Sequence, residues 1–242
     1  MNPIQCVFFR KLLYQYEKRD CFHNYIFPIQ KENEKLKDIP MTNNIYCVGR
    51  NYVEHAYELG NVVEDEPVIF SKPSSSLVLG NEIYLPDFSK EIHFETEIVL
   101  RISKNTFMVN EVEAEECYDA IAIGLDLTAR DLQTKLKNKK LPWLLSKGFK
   151  GAAYVSDFIN KEKITDPITF EMKLNGETRQ LGNTKHMIFS FRKIISFLSS
   201  YIQLENGDII YTGTPQGVGK LSQFDRIELY IEDKLISEIK VK

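Results

Sequence analysis

The sequence is poor in cysteine, in histidine and in long apolar runs, and each shortage removes a class of protein. Its four cysteines, Cys6, Cys21, Cys47 and Cys117, include no close CxxC pair, so neither a disulfide framework nor a cysteine zinc site is indicated. The four histidines, His23, His55, His93 and His186, form no HExxH pattern, which argues against a histidine-rich zinc hydrolase. No apolar run approaches the length of a membrane span. The opening residues carry no clear secretory cleavage signature, because Glu17 and Asp20 follow the first apolar stretch closely. An excess of one charge is missing too: 31 Lys and Arg stand against 34 Asp and Glu, a formal net charge of -3. That balance supplies no broad field for nucleic acid or anionic lipid. Together these absences predict a cytoplasmic protein with neither nucleic acid nor a membrane as partner.

What is present suits an ordinary globular chain: 242 residues, 43% hydrophobic and 27% charged, enough to bury a substantial core. Residues 1–40 stand apart, rich in aromatic and charged residues and closing in the polar run KENEKLKDIP. They read as an N-terminal extension or linker, either a short docked helix with a polar tether or a largely disordered segment. Met41 serves equally well as a start. Residues 41–242 form the body, strand-rich with a few helices. Strands are predicted over 45–48, 82–85, 92–102 and 118–125, and a short helix over 51–60. A hairpin turns at Asn175-Gly176, and a helix with one apolar stripe, Ile188, Phe191, Ile195, Leu198 and Ile202, follows it.

Candidate chemistry begins in IHFETEIVL. Glu95 and Glu97, two apart on a strand, share a face and lie roughly 7 Å from one another. A solvated strand face is the ordinary reading. A divalent cation is the other, because Mg²⁺ takes carboxylate oxygens and fills its octahedron with water or substrate atoms. Asp126 closes the apolar run AIAIGL at a strand-to-helix junction, where an acid either caps the helix or needs a partner. In the helix that follows, TARDLQTKLKNKK, Thr128 and Asp131 predict a capping box. His55 and Glu58, three apart on the predicted helix, make a surface pair or an oriented base. Lys147, in LPWLLSKGF beside Trp143, either snorkels to water or holds a positive charge in a pocket. Arg130 meets a carboxylate or forms a surface ion pair. The loop TGTPQGVGK fails the Walker A test, since Leu221 follows GK where Ser or Thr is needed, yet Thr214 and nearby backbone donors suit a small anion.

Taken in order, GRNYVEHAYELG, PVIFSKPSSSLV, IHFETEIVL, GLDLTARDLQ, LPWLLSKGF and GDIIYTGTPQGVG resemble the fumarylacetoacetate hydrolase family, in its short acylpyruvase and oxaloacetate-decarboxylase-like branch. The resemblance runs from about Tyr46 to the C-terminus. It implies an α+β fold, a mixed β-sheet roll with flanking helices, assembled as a homodimer. It implies that Glu95, Glu97 and Asp126 hold Mg²⁺, with Mn²⁺ as a substitute. His55 and Glu58 become the catalytic pair and Lys147 the active-site lysine, while Arg130 and Thr214 contact substrate. The implied reaction is carbon–carbon cleavage in a small 2-oxo acid, by acylpyruvate hydrolysis or oxaloacetate decarboxylation, through a metal-bound pyruvate enolate. Two alternatives stand beside it: an isomerase or decarboxylase of 2-oxo dienoate-type acids from aromatic catabolism, and a non-catalytic dimeric binding protein.

Overall fold

A computed structural model describes residues 44–53 and 65–242. The expectations for residues 1–40, and those for His55 and Glu58, lie outside the described residues. In chain order the strands are β1 (Ile45–Gly49), β2 (Val68–Lys72), β3 (Glu82–Ile83), β4 (Ile92–Phe94), β5 (Thr96–Ile102), β6 (Tyr118–Asp126), β7 (Thr128–Ala129) and β8 (Ala153–Val155). They continue with β9 (Ile159–Asn160), β10 (Thr169–Leu174), β11 (Glu177–Asn183), β12 (Ile209–Tyr211), β13 (Gly219–Lys220), β14 (Arg226–Ile231) and β15 (Lys234–Val241). The helices are α1 (Glu111–Ala114), α2 (Arg130–Asn138), α3 (Leu144–Lys147) and α4 (Phe191–Ser199).

The largest sheet runs β2-β1-β12-β5-β6-β8, with β9 also on β6; β1 and β12 are parallel and their neighbours antiparallel. A second sheet runs β11-β10-β14-β15-β3, parallel only at β15 and β3. A third, β13-β4-β7, is a short antiparallel set. This is the mixed-sheet α+β architecture the resemblance implies, with short helices flanking it.

The strand pattern explains where the core sits. β5 is hydrogen-bonded along both edges, to β12 and β6, and its apolar residues Ile98, Val99, Leu100 and Ile102 are buried on its two faces. Ile98, Leu100 and Ile102 enter the main core with Phe170, Met172 and Leu229 of the second sheet. Val99 points the other way, into a smaller cluster with Cys47, Ala122, Ile209 and Tyr211. By the period of two, Glu97 shares the face of Val99. Gly124, directly opposite Glu97, makes room there: a Cβ would stand 2.6 Å from the Tyr154 carbonyl oxygen and 2.8 Å from Tyr211 and Val99.

α4 buries Ile194, Ile195 and Leu198 in the main core, and truncating any of them to alanine costs about 2–5 kcal/mol. It is shorter than the stripe predicts, because Ser190 is extended and caps it by accepting from the Lys193 N–H at 3.3 Å. Two other expectations change. The strand over 92–102 is broken at Glu95, whose carbonyl oxygen accepts from the Asp126 N–H at 2.8 Å while the Thr96 N–H donates to the Gln180 side chain at 2.9 Å. Thr128 does not cap α2 either: it pairs with His93 in the third sheet, and Asp131 instead accepts from the Ser89 hydroxyl at 2.7 Å.

Candidate metal centre

Glu97 on β5, Asp126 at the end of β6 and Glu95 in the break between β4 and β5 converge. One oxygen from each lies within 4.8 Å of the others, and all three side chains are buried. The two glutamates do come together, although a break in the strand and not one strand face brings them there, and the solvated reading is excluded. The break at Glu95 turns that residue out of the ladder, and the Asp126 N–H bond to its carbonyl locks the two acids together.

Burial of acids at this spacing has an electrostatic consequence. Burial first, then the charges of Asp126 and Glu95, raise the Glu97 pKa well above the ordinary carboxylate range, although the Gly213 N–H donates to its Oε2 at 2.6 Å. Gly213 makes that donation with φ 104°, and a Cβ there would come within 2.6 Å of Asn51. Three carboxylates that cannot all ionise unaided form a donor set for a hard divalent ion. Asp126 Oδ1 is buried and accepts no hydrogen bond of good geometry, its charge being met by the Lys72 ammonium 2.6 Å away.

Cations already surround the acids. Lys147, in α3, is 3% exposed and donates to Glu95 Oε2 and to Asp126 Oδ2, both at 2.7 Å, so it does not snorkel. Burial acts to lower its pKa, but the Asp126 and Glu95 charges outweigh it, and the net shift is upward. The ammonium therefore stays charged at neutral pH. Arg130, at the start of α2, donates to Glu95 Oε1 and, at 2.6 Å, to Gln133 Oε1. Thr214, in the loop after β12, accepts from Gln180 Nε2 at 2.8 Å. Having accepted, its hydroxyl keeps its own hydrogen for a ligand. Glu95, Glu97, Asp126, Arg130, Lys147 and Thr214 all line one cavity.

Sequence reasoning missed Lys72. At the end of β2 and 2% exposed, its ammonium sits 2.6 Å from Asp126 Oδ1 and donates to the carbonyls of Ala152 at 2.9 Å, Leu127 at 3.3 Å and Lys147. Its sequence context, FSKPSSS, reads as a loop lysine, and nothing local marks it. Gln180 was missed too; it ties the Thr96 N–H, 84 residues away, to Thr214 and the Pro215 carbonyl.

Comparison with known proteins agrees with this geometry. The model of the fumarylacetoacetate (FAA) hydrolase C-terminal family matches residues 44–241. The human protein named oxaloacetate tautomerase FAHD1, mitochondrial, is 44% identical over 202 residues, covering 82% of this chain and 91% of the human one. Its mouse counterpart is 43% identical over the same length and shares. Among solved structures, fumarylpyruvate hydrolase from Pseudomonas aeruginosa, in complex with Mn²⁺ and pyruvate, has a TM-score of 0.78 at 29% identity, covering 90% of this chain and 99% of that one. The mitochondrial relatives correct the cytoplasmic expectation. A low cysteine count fits a reducing compartment and does not separate cytosol from mitochondrion.

Proposed function

The chain belongs to the fumarylacetoacetate hydrolase family, and on that premise we propose that it is a divalent-metal-dependent enzyme acting at C3 of a small 2-oxo acid, by tautomerisation or by cleavage of the adjacent carbon–carbon bond. The observation that carries this reading is the buried set of Glu95, Glu97 and Asp126 with Lys147 Nζ 2.7 Å from two of them. Mg²⁺ or Mn²⁺ held by those three acids would polarise the 2-oxo group as a Lewis acid.

The protein's own groups divide the remaining work. Lys147, kept protonated by its two carboxylate partners, offsets negative charge as an enolate develops and can return a proton to carbon. Being charged, it is no base. That role falls in our reading to His55, oriented by Glu58, which takes the C3 proton or activates water against a distal carbonyl. Thr214 donates its free hydroxyl hydrogen to the substrate carboxylate, and Arg130, which lines the same cavity, offers it a second donor. We further infer a homodimer. The face around α1 and the end of α4 exposes Phe107, Met108, Val112 and Tyr201, apolar surface that a second chain would cover.

The test is turnover of oxaloacetate and acetylpyruvate with Mg²⁺, following loss of the enol absorbance and release of pyruvate. Activity with at least one substrate, abolished by EDTA and restored by Mn²⁺, is expected. No turnover of either with metal present, alongside turnover of a 2-oxo dienoate, would move the assignment to the isomerase branch.

A further inference from the structure

Arg50, Arg130, Lys137 and Lys147 line the cavity together with Glu95, Glu97 and Asp126. Lys147 and Arg130 are paired with those acids. Lys137 has no ion pair among the described residues; its ammonium lies over the Trp143 ring, 5.9 Å from the centroid. Its place in the last turn of α2 suits a cation on helix-dipole grounds. The dipole does not explain why it faces a cavity already holding Arg50 and Arg130. Partial burial and repulsion from those two guanidinium groups lower the Lys137 pKa, which marks an ammonium short of counter-charge.

The wall between the two lysines is apolar. Trp143 packs edge-on against Phe70, their centroids 5.8 Å apart, and Phe70 lies 4.9 Å beneath Lys147 Nζ. Lys147 with its carboxylate partners stands at the Phe70 end of this wall and Lys137 at the Trp143 end, so a ligand seated along it meets a cation at each end. A 2-oxo acid with one carboxylate places it at the first end and leaves Lys137 unanswered. A second carboxylate on the far carbon supplies the missing anion.

We propose that Lys137 receives the distal carboxylate of a dicarboxylic 2-oxo acid and so sets a preference for substrates such as oxaloacetate over neutral acylpyruvates. This rests on the 2-oxo-acid reading above and deepens it. The preference requires a positive charge at residue 137, so arginine retains it and the neutral, unbranched methionine does not.

The experiment compares the Mg²⁺-loaded full chain with its Lys137→Met and Lys137→Arg variants. The ratio of kcat/KM for oxaloacetate over acetylpyruvate is expected to fall about tenfold in Lys137→Met, as befits one charge-assisted hydrogen bond, and to survive in Lys137→Arg. Oxalate, which has no distal group, inhibits all three proteins to within about twofold, a check that fold and metal site persist. An unaltered ratio in Lys137→Met overturns the proposal. If the wild type turns over neither substrate, the reaction assigned above fails, and Mn²⁺-loaded protein titrated with oxalate and with oxaloacetate still reads the lysine. Selective loss of oxaloacetate affinity in Lys137→Met upholds its role, and parallel or absent loss refutes it.

Discussion

Replacing Lys72 with methionine keeps most of the apolar length of the side chain and removes its charge from a buried site. The ammonium meets Asp126 Oδ1 at 2.6 Å and three backbone carbonyls, one of them that of Lys147. Removing one member of a buried pair leaves the other uncompensated, which costs about 3–5 kcal/mol. For a domain of this size each kcal/mol lowers Tm by about 2–4 °C, so the metal-free variant should melt roughly 6–20 °C below wild type. Lys147 keeps its own bond to Asp126 at 2.7 Å, which places the effect toward the lower half of that range. Mg²⁺ supplies the charge that Lys72 gave up, so its addition should raise Tm more in the variant than in wild type. Lys72→Arg should not rescue, since a guanidinium is too broad for a site this enclosed. Scanning calorimetry with and without Mg²⁺ makes the measurement. A variant within about 2 °C of wild type in both conditions would refute the reasoning, because it would mean that the buried charges are not coupled.

Three further outcomes follow from the same geometry. Gly124→Ala drives a methyl against Tyr211, Val99 and the Tyr154 carbonyl, so it should destabilise the chain by about 1–3 kcal/mol in urea melts and weaken metal binding by displacing Glu97. Lys147→Met should lower kcat by about 10²-fold or more at saturating Mg²⁺, because charge on the enolate then lacks its nearest cation; a loss confined to KM would argue for a binding role instead. Because the Glu97 pKa is raised in the metal-free fold, folding takes up a proton there. The metal-free protein should therefore lose stability as pH rises above the ordinary glutamate value, and divalent-ion affinity should increase over the same window with release of a proton, read by calorimetry in buffers of different ionisation enthalpy.

The sequence makes some of this visible and hides the rest for physical reasons. The spacing of Glu95 and Glu97 marks them as a pair, and Asp126 is conspicuous as an acid closing an apolar run. Local pattern is enough because each signal is carried by a few adjacent residues. Lys147 is ambiguous in sequence, since apolar neighbours suit a snorkelling lysine and a buried one equally; its two carboxylate partners, 52 and 21 residues away, decide the matter. Lys72 and Gln180 are silent, because every bond that gives them meaning crosses tens of residues. The break at Glu95 is hidden likewise. A regular alternation predicts one strand, and only the Asp126 N–H and the Gln180 side chain, arriving from elsewhere, draw the backbone out of the ladder. Thr128 shows the opposite error, a sound capping signal overruled when strand pairing with His93 claims the residue.

Titration of Mn²⁺ into the metal-free chain, followed by its paramagnetic resonance spectrum, tests the centre most directly. The three acids predict one tight ion per chain, a spectrum that shifts when oxalate is added, and loss of the tight site in both Glu97→Gln and Asp126→Asn. Equal Mn²⁺ binding by wild type and both variants, or no tight binding by any of them, would contradict it.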